Sequence, residues 1–176
     1  MNIIVQVVNG KWQASYGDRT WPCTIGKNGT VPAKEKVEGD GKTPIGSWNL
    51  TKVLYRADRI SLEQRKAIRK AVEIAPLCQR DGWCDEPEDP YYNKAVIVPY
   101  TSSHEILWKE QENTYDLIGL LSHNSDPVIP GQGSAIFLHV AKPGLTPTEG
   151  CVALELNNLL ELLSLIESES KIEVIG

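Results

Sequence analysis

One pair of side chains stands in a setting suited to nucleophilic chemistry. Cys151 follows a glycine in Thr148-Glu149-Gly150-Cys151, and His139 ends the apolar run Ser134-Ala135-Ile136-Phe137-Leu138-His139 upstream of it. A glycine before a nucleophile lets the backbone approach a substrate carbonyl closely. It also leaves adjacent N–H groups, here those of Gly150 and Cys151, to face a developing oxyanion. A thiol beside an imidazole gives up its proton more readily, because the imidazolium stabilises the thiolate. The chemistry indicated is acyl transfer, with Cys151 as nucleophile and His139 as base. Alone, His139 would read as a core imidazole satisfied by a backbone carbonyl; the Thr-x-Gly-Cys that follows favours the functional reading. Thr148 is expected to shape the turn and hydrogen-bond the site. Glu149 is expected to hold the loop or bind an acceptor amine.

The other reactive residues make weaker patterns. His104 lies among Ser102, Ser103 and Glu105 and reads as a surface residue, and His123, before Asn124 and Asp126, reads as part of a turn. Cys78 and Cys84 lack zinc-ligand spacing and no histidine pair follows them, so no metal and no cofactor is expected. With Cys151 reduced, at most one disulfide could join two of Cys23, Cys78 and Cys84. No Gly-x-Ser-x-Gly supports a serine triad, and no phosphate-binding loop appears.

The elements that must position the pair follow from periodicity and turn signals. Ser134 to Val140 reads as a buried strand opened by Pro130-Gly131-Gln132-Gly133, with Ala135, Phe137 and His139 on one face. Pro143, Gly144 and Pro147 turn the chain sharply before Cys151. Upstream, Ile3–Val8, the Asn9-Gly10 turn, a return strand with Trp12, Ala14 and Tyr16, and a third strand over 21–25 open an antiparallel sheet. Further strands are expected over 47–55, 95–99, 115–122 and 171–175. Two short helices are expected: about 61–73, with a Ser61/Gln64 capping box and Pro76 as its stop, and about 156–168. The charged stretch 34–42 reads as a solvated loop. The Pro-, Asp- and Tyr-rich stretch 81–93 is a candidate substrate wall: Trp83 and Tyr92 could line a groove, and Asn93 could hydrogen-bond a peptide backbone. Trp83 could equally anchor that loop into the core.

These motifs together resemble the YkuD-type L,D-transpeptidases, bacterial cysteine enzymes that cross-link or trim peptidoglycan. Strand-His, loop, Thr-x-Gly-Cys resembles their catalytic segment. Gly39-Asp40-Gly41-Lys42-Thr43-Pro44-Ile45-Gly46 resembles their Gly-x-x-x-Thr-Pro-x-Gly segment. Asp81-Gly82-Trp83-Cys84-Asp85, Tyr92-Asn93 and Gly133 to His139 resemble a subgroup with a shortened active-site loop. The likeness runs from about Cys23 to the helix after Cys151. Better-known members carry a second histidine two residues before the cysteine and Asn or Arg two residues after it, where this chain has Glu149 and Ala153.

The resemblance implies a mainly β (α+β) fold, a YkuD-like β-sandwich or barrel catalytic domain. It implies that the backbone carbonyl of Val140 orients His139, and that Cys151 forms a thioester with a peptidoglycan stem peptide. An amine from a second stem then resolves the thioester and cross-links the wall; reactivity toward carbapenems is implied with it. Two alternatives stand beside this: an L,D-carboxypeptidase with water as acceptor, and a non-catalytic peptidoglycan-binding module.

Length and composition fit that picture. At 176 residues with 41% hydrophobic and 23% charged residues, one domain spanning 1–176 is expected. A net charge of −5 argues against a nucleic-acid partner, and no apolar stretch reaches the ~20 residues of a membrane span. The expected partners are stem peptides, and the expected state is a monomer. By inferred function the location is the periplasm or cell envelope. The first residues do not read as a signal peptide, which leaves the cytoplasm open.

Overall fold

Asn9 and Gly10 both have positive φ, 51° and 76°, the geometry a two-residue hairpin between right-twisted strands requires. They join β1 (Ile3–Val8) to β2 (Lys11–Tyr16), and β2 continues antiparallel into β3 (Arg19–Pro22). The computed structural model describes residues 1–68 and 71–176. β4 (Thr30–Pro32) runs parallel to the start of the long β5 (Thr43–Tyr55). The capping box at Ser61 forms: its N–H donates to Gln64 Oε1 at 2.8 Å, and the Gln64 N–H donates to Ser61 Oγ at 3.3 Å. It opens α1 (Leu62–Ile68), which is shorter than the expected 61–73. Residues 69 and 70 lie outside the described residues, and by Ile74 the chain is a strand, β6 (Ile74–Pro76), parallel to β5. The backbone of β5 captures this segment, so Pro76 closes a strand instead of stopping a helix.

Next come β7 (Asp81–Cys84), β8 (Ala95–Ile97) and β9 (His104–Ile106), which form a separate antiparallel sheet in the order β8-β7-β9. β10 (Leu117–Leu121), β11 (Phe137–Val140), β12 (Val152–Leu154), α2 (Leu156–Leu165) and β13 (Lys171–Val174) complete the chain. The main sheet runs β12-β11-β10-β5-β13-β1-β2-β3, with β4 and β6 also pairing β5. The chain after β3 then curls back to β12. Thr24 and Ala153 exchange two backbone hydrogen bonds of 2.9 Å, and Lys27 N–H donates to Thr148 O at 2.8 Å. The sheet is thereby rolled into a nearly closed barrel, the YkuD-like, mainly β architecture expected.

Alternation gives β10 and β11 two different faces. Leu117, Leu121, Leu138 and Val140 join the main core with Leu159, Leu162 and Leu163 of α2. On the other face Ile118 and Phe137 join Leu77, Leu107 and Cys151 in a second apolar cluster. Phe137 is 2% exposed and meets the edge of Trp83 at a 5.2 Å centroid distance. Burying such a ring contributes on the order of 1.5–3 kcal/mol. The strand begins later than expected, because Ala135 has φ 52° and belongs to the turn before it. Among the described residues no helix is long and apolar enough to cross a membrane.

Candidate active site

β11 and β12 are parallel neighbours in which Leu138 faces Val152 and His139 faces Ala153. Cys151 precedes β12 by one residue, so the thiol and the imidazole sit diagonally across one end of this ladder, and both line one cavity. Both are buried, at 8% and 5% exposure.

His139 is fixed from behind. Its Nδ1 lies 2.9 Å from the carbonyl oxygen of Val140, so the N–H is placed on Nδ1 and Nε2 keeps its lone pair. The Tyr115 ring packs edge-on against the imidazole at 5.5 Å. Burial, reinforced by nearby Lys142 and opposed by the Val140 bond, lowers the imidazole pKa to about 4. Burial also pushes the Cys151 thiol up to about 12, against the pull of the Phe137 N–H. At neutral pH the pair is therefore an uncharged thiol and a neutral imidazole. The thiol donates to Ala135 O at 3.1 Å and accepts from the Phe137 N–H at 3.3 Å. For such a pair to act on a carbonyl, the thiol proton would have to pass to a base during attack, because no thiolate waits in advance.

The loop before Cys151 is tied to the Thr-Pro segment. Thr43 is fully buried; its hydroxyl donates to Gly150 O at 2.8 Å and accepts from the Gly26 N–H at 2.9 Å. Gly150 has φ +141°, and a Cβ there would come within 2.9 Å of Lys42 O, so the close approach itself demands glycine. Thr148 closes the turn by donating to Cys151 O at 2.7 Å and accepting from the Gly150 N–H at 3.1 Å. This corrects the expected oxyanion hole: the Gly150 N–H is already engaged by a hydroxyl. The Cys151 N–H has no acceptor among the described residues and remains available.

Thr148, Glu149 and Gly150 line the cavity with Cys151 and His139. Glu149 stands on the rim, its side chain 75% exposed and 2.8 Å from Lys27 Nζ. The stretch around Tyr92 behaves differently from the substrate wall expected. Tyr92 is 2% exposed and its hydroxyl donates to Glu38. Asn93, 7% exposed, donates to the carbonyls of His123 and Asn124 and accepts from Trp83 Nε1 and the Ala135 N–H. With both ends of its amide committed, Asn93 anchors the turn before β11 and has nothing left for a peptide. Trp83 packs on Phe137 behind the wall, the anchoring alternative of the two considered.

Several lining residues escaped the sequence reading, among them Lys36, Asp85, Glu105, Lys109, Tyr115 and Ser134. Lys36 lies in the stretch 34–42 read as solvated, yet its side chain is 3% exposed and its Nζ donates to Asp40 Oδ1 at 2.6 Å. The signal was the glycine pair around Asp40: a tight turn folds this acid back onto the lysine four residues before it. His104, expected at the surface, is half-buried with Nδ1 2.7 Å from Ser102 O. His123 does lie in a turn, but is 4% exposed, with Nε2 2.9 Å from Gln132 O.

A family model described as the YkuD L,D-transpeptidase catalytic domain matches residues 5–174. No curated protein and no solved structure matches the chain.

Proposed function

This chain belongs to the YkuD family of L,D-transpeptidase catalytic domains, and from that premise we propose that it is a cysteine-dependent L,D-transpeptidase. It acts as one domain, at the cell envelope, on peptidoglycan stem peptides, and cross-links them through a thioester. The observation that carries this reading is that Cys151 and His139 line one cavity, with His139 held through Nδ1 and Nε2 without a partner among the described residues.

His139 Nε2 takes the thiol proton as Cys151 Sγ attacks the carbonyl at the third residue of the donor stem. The Cys151 N–H stabilises the oxyanion. Collapse of the intermediate breaks the amide bond. The imidazolium gives its proton to the departing amine, D-alanine leaves, and a thioester remains. The amine of a second stem then attacks the thioester, its proton passes to His139, and the new amide forms as the thiol is restored. Val140 keeps the imidazole in the required tautomer throughout, and Thr148 holds the turn that presents the thiol.

Intact-protein mass spectrometry after exposure to a carbapenem tests the acylation step. Wild-type protein should gain one adduct, and Cys151→Ala none. Folded, reduced wild type with no adduct would sink the mechanism. Muropeptide analysis then separates transfer from hydrolysis: cross-linked products support the reading, and trimmed tripeptides alone replace it with a carboxypeptidase.

A further inference from the structure

We propose that Arg56 and Arg59 are positioning residues for His139: they clamp a strap, residues 107–116, that fixes the imidazole at two points. The strap connects β9 to β10 and contains no helix or strand. Four of its residues, Lys109, Glu112, Thr114 and Tyr115, line the cavity with Cys151 and His139. Among the described residues no backbone–backbone hydrogen bond joins 108–113 to a residue outside the strap. A segment without a ladder opens easily unless side chains satisfy its carbonyls. Here two guanidiniums do so.

Both arginines lie just after β5. Arg56 has a side-chain exposure of 2%. Its Nη1 donates to Lys109 O at 2.7 Å, and its Nε and Nη2 grip the Asp58 carboxylate at 2.9 and 2.7 Å. The same guanidinium lies 3.6 Å from the ring centroid of Trp108, a residue of the strap. Arg59 Nη1 donates to Glu112 O and to the buried Asp116 carboxylate, both at 2.8 Å, and its Nη2 donates to Glu110 O at 2.9 Å. The carbonyls of Lys109, Glu110 and Glu112 are thus all held by charged, forked donors. Such bonds are roughly twice as strong as neutral ones, and a lysine ammonium does not reproduce the planar fork.

The far end of the strap bears on His139. Thr114 O accepts from the Val140 N–H at 3.1 Å, and Val140 O in turn accepts from His139 Nδ1 at 2.9 Å. One residue therefore carries the grip of the strap to the imidazole. Tyr115 supplies the second point, its ring edge-on to the imidazole at 5.5 Å. Lys142, the cation that acts on His139, meets Glu112 of the strap at 3.6 Å, but both side chains are about half exposed and the pair holds little. A loosened clamp lets Tyr115 withdraw, admits water to the ring and frees the Val140 N–H. For the reaction this rests on the function proposed above, in which His139 presents Nε2 to the thiol.

The test follows the imidazole and the thiol separately. Imidazole nitrogen NMR over a pH series reads the titration and tautomer of His139 in wild type, Arg56→Lys, Arg59→Lys and the double variant. These substitutions keep the charges beside Asp58 and Asp116 and lose the forks. Tyr115→Leu removes the ring contact with both arginines intact. Wild type should hold the Nδ1–H tautomer and titrate near 4. The double variant and Tyr115→Leu should both titrate above about 5, as water reaches the ring. Exchange of the Val140 N–H should quicken at least about tenfold in the double variant, while the amides of β1 keep their wild-type protection. If the double variant does not fold, the single variants decide by the same criteria. Arginine variants that unfold more easily, yet leave His139 titration and Val140 exchange unchanged, would reduce the clamp to a structural role and overturn the proposal. So would an unchanged titration in Tyr115→Leu. Carbapenem acylation of Cys151 should slow at least about tenfold in the double variant, the size of one hydrogen bond to a charged group. A wild-type rate there would overturn the link to reactivity. Absence of any adduct on wild type would remove the transpeptidase reading, while the NMR and exchange measurements still decide whether the arginines position His139.

Discussion

Two lysine–carboxylate pairs border the same cavity, nearly equal in length and opposite in character. Lys36 meets Asp40 at 2.6 Å with side-chain exposures of 3% and 16%; Lys27 meets Glu149 at 2.8 Å with exposures of 52% and 75%. The rim pair trades one solvated arrangement for another, and such pairs are worth about 0–1 kcal/mol. The inner pair is largely shielded from water, Lys36 more than Asp40, and its members depend on each other. Asp40 also accepts from the Val37 and Lys42 N–H groups. Burial pulls its pKa upward, but the Lys36 and backbone hydrogen bonds outweigh that and leave it below the ordinary value. The lesson is that distance does not rank these contacts; the state each partner would be left in does.

The largest effect should come from Lys36→Met, which strands the Asp40 carboxylate. Urea denaturation should show a loss of about 3 kcal/mol, partly recovered when Asp40→Asn is added. A loss below about 1 kcal/mol would place this pair with the rim. Acid should expose the next effect. His139 titrates near 4 when folded, against 6.5 as the ordinary value. Between those values the unfolded chain binds more protons, so full stability holds above about pH 6.5. It declines as pH falls toward about 4, by roughly 3 kcal/mol in total. His139→Gln should flatten this slope in a series of urea midpoints against pH; an unchanged slope would assign the acid sensitivity to other groups. The smallest effect belongs to Glu149→Gln, which should shift unfolding by less than about 0.5 kcal/mol. A larger shift would break the contrast between rim and floor.

The sequence made the barrel strands and the shared cavity of Cys151 and His139 visible for the same reason. Asn9-Gly10, the Phe137/His139 alternation and the Gly150-Cys151 step are local patterns whose physics is complete within a few residues. The α1 boundary was less visible, because pairing with β5 through Ile74 overrides the helical spacing of 61–73. Asn93 was misjudged because its exposure depends on partners some 30 to 42 residues away. A polar residue in a polar stretch gives no local hint that both ends of its amide are engaged. The role of Thr43 is of the same kind: the Thr-Pro segment could be spotted, but its hold on Gly150 spans 107 positions.

The burial of Cys151 has one more consequence, which concerns oxidants. Peroxides and disulfides react with thiolate, and a thiol held at about 12 presents almost none at neutral pH. The folded protein therefore withholds this thiol from adventitious oxidation. An unfolded copy, with an ordinary thiol near 8.5, has no such shelter. Loss of the fold thus turns a guarded sulfur into a common target for sulfenylation and mixed disulfides.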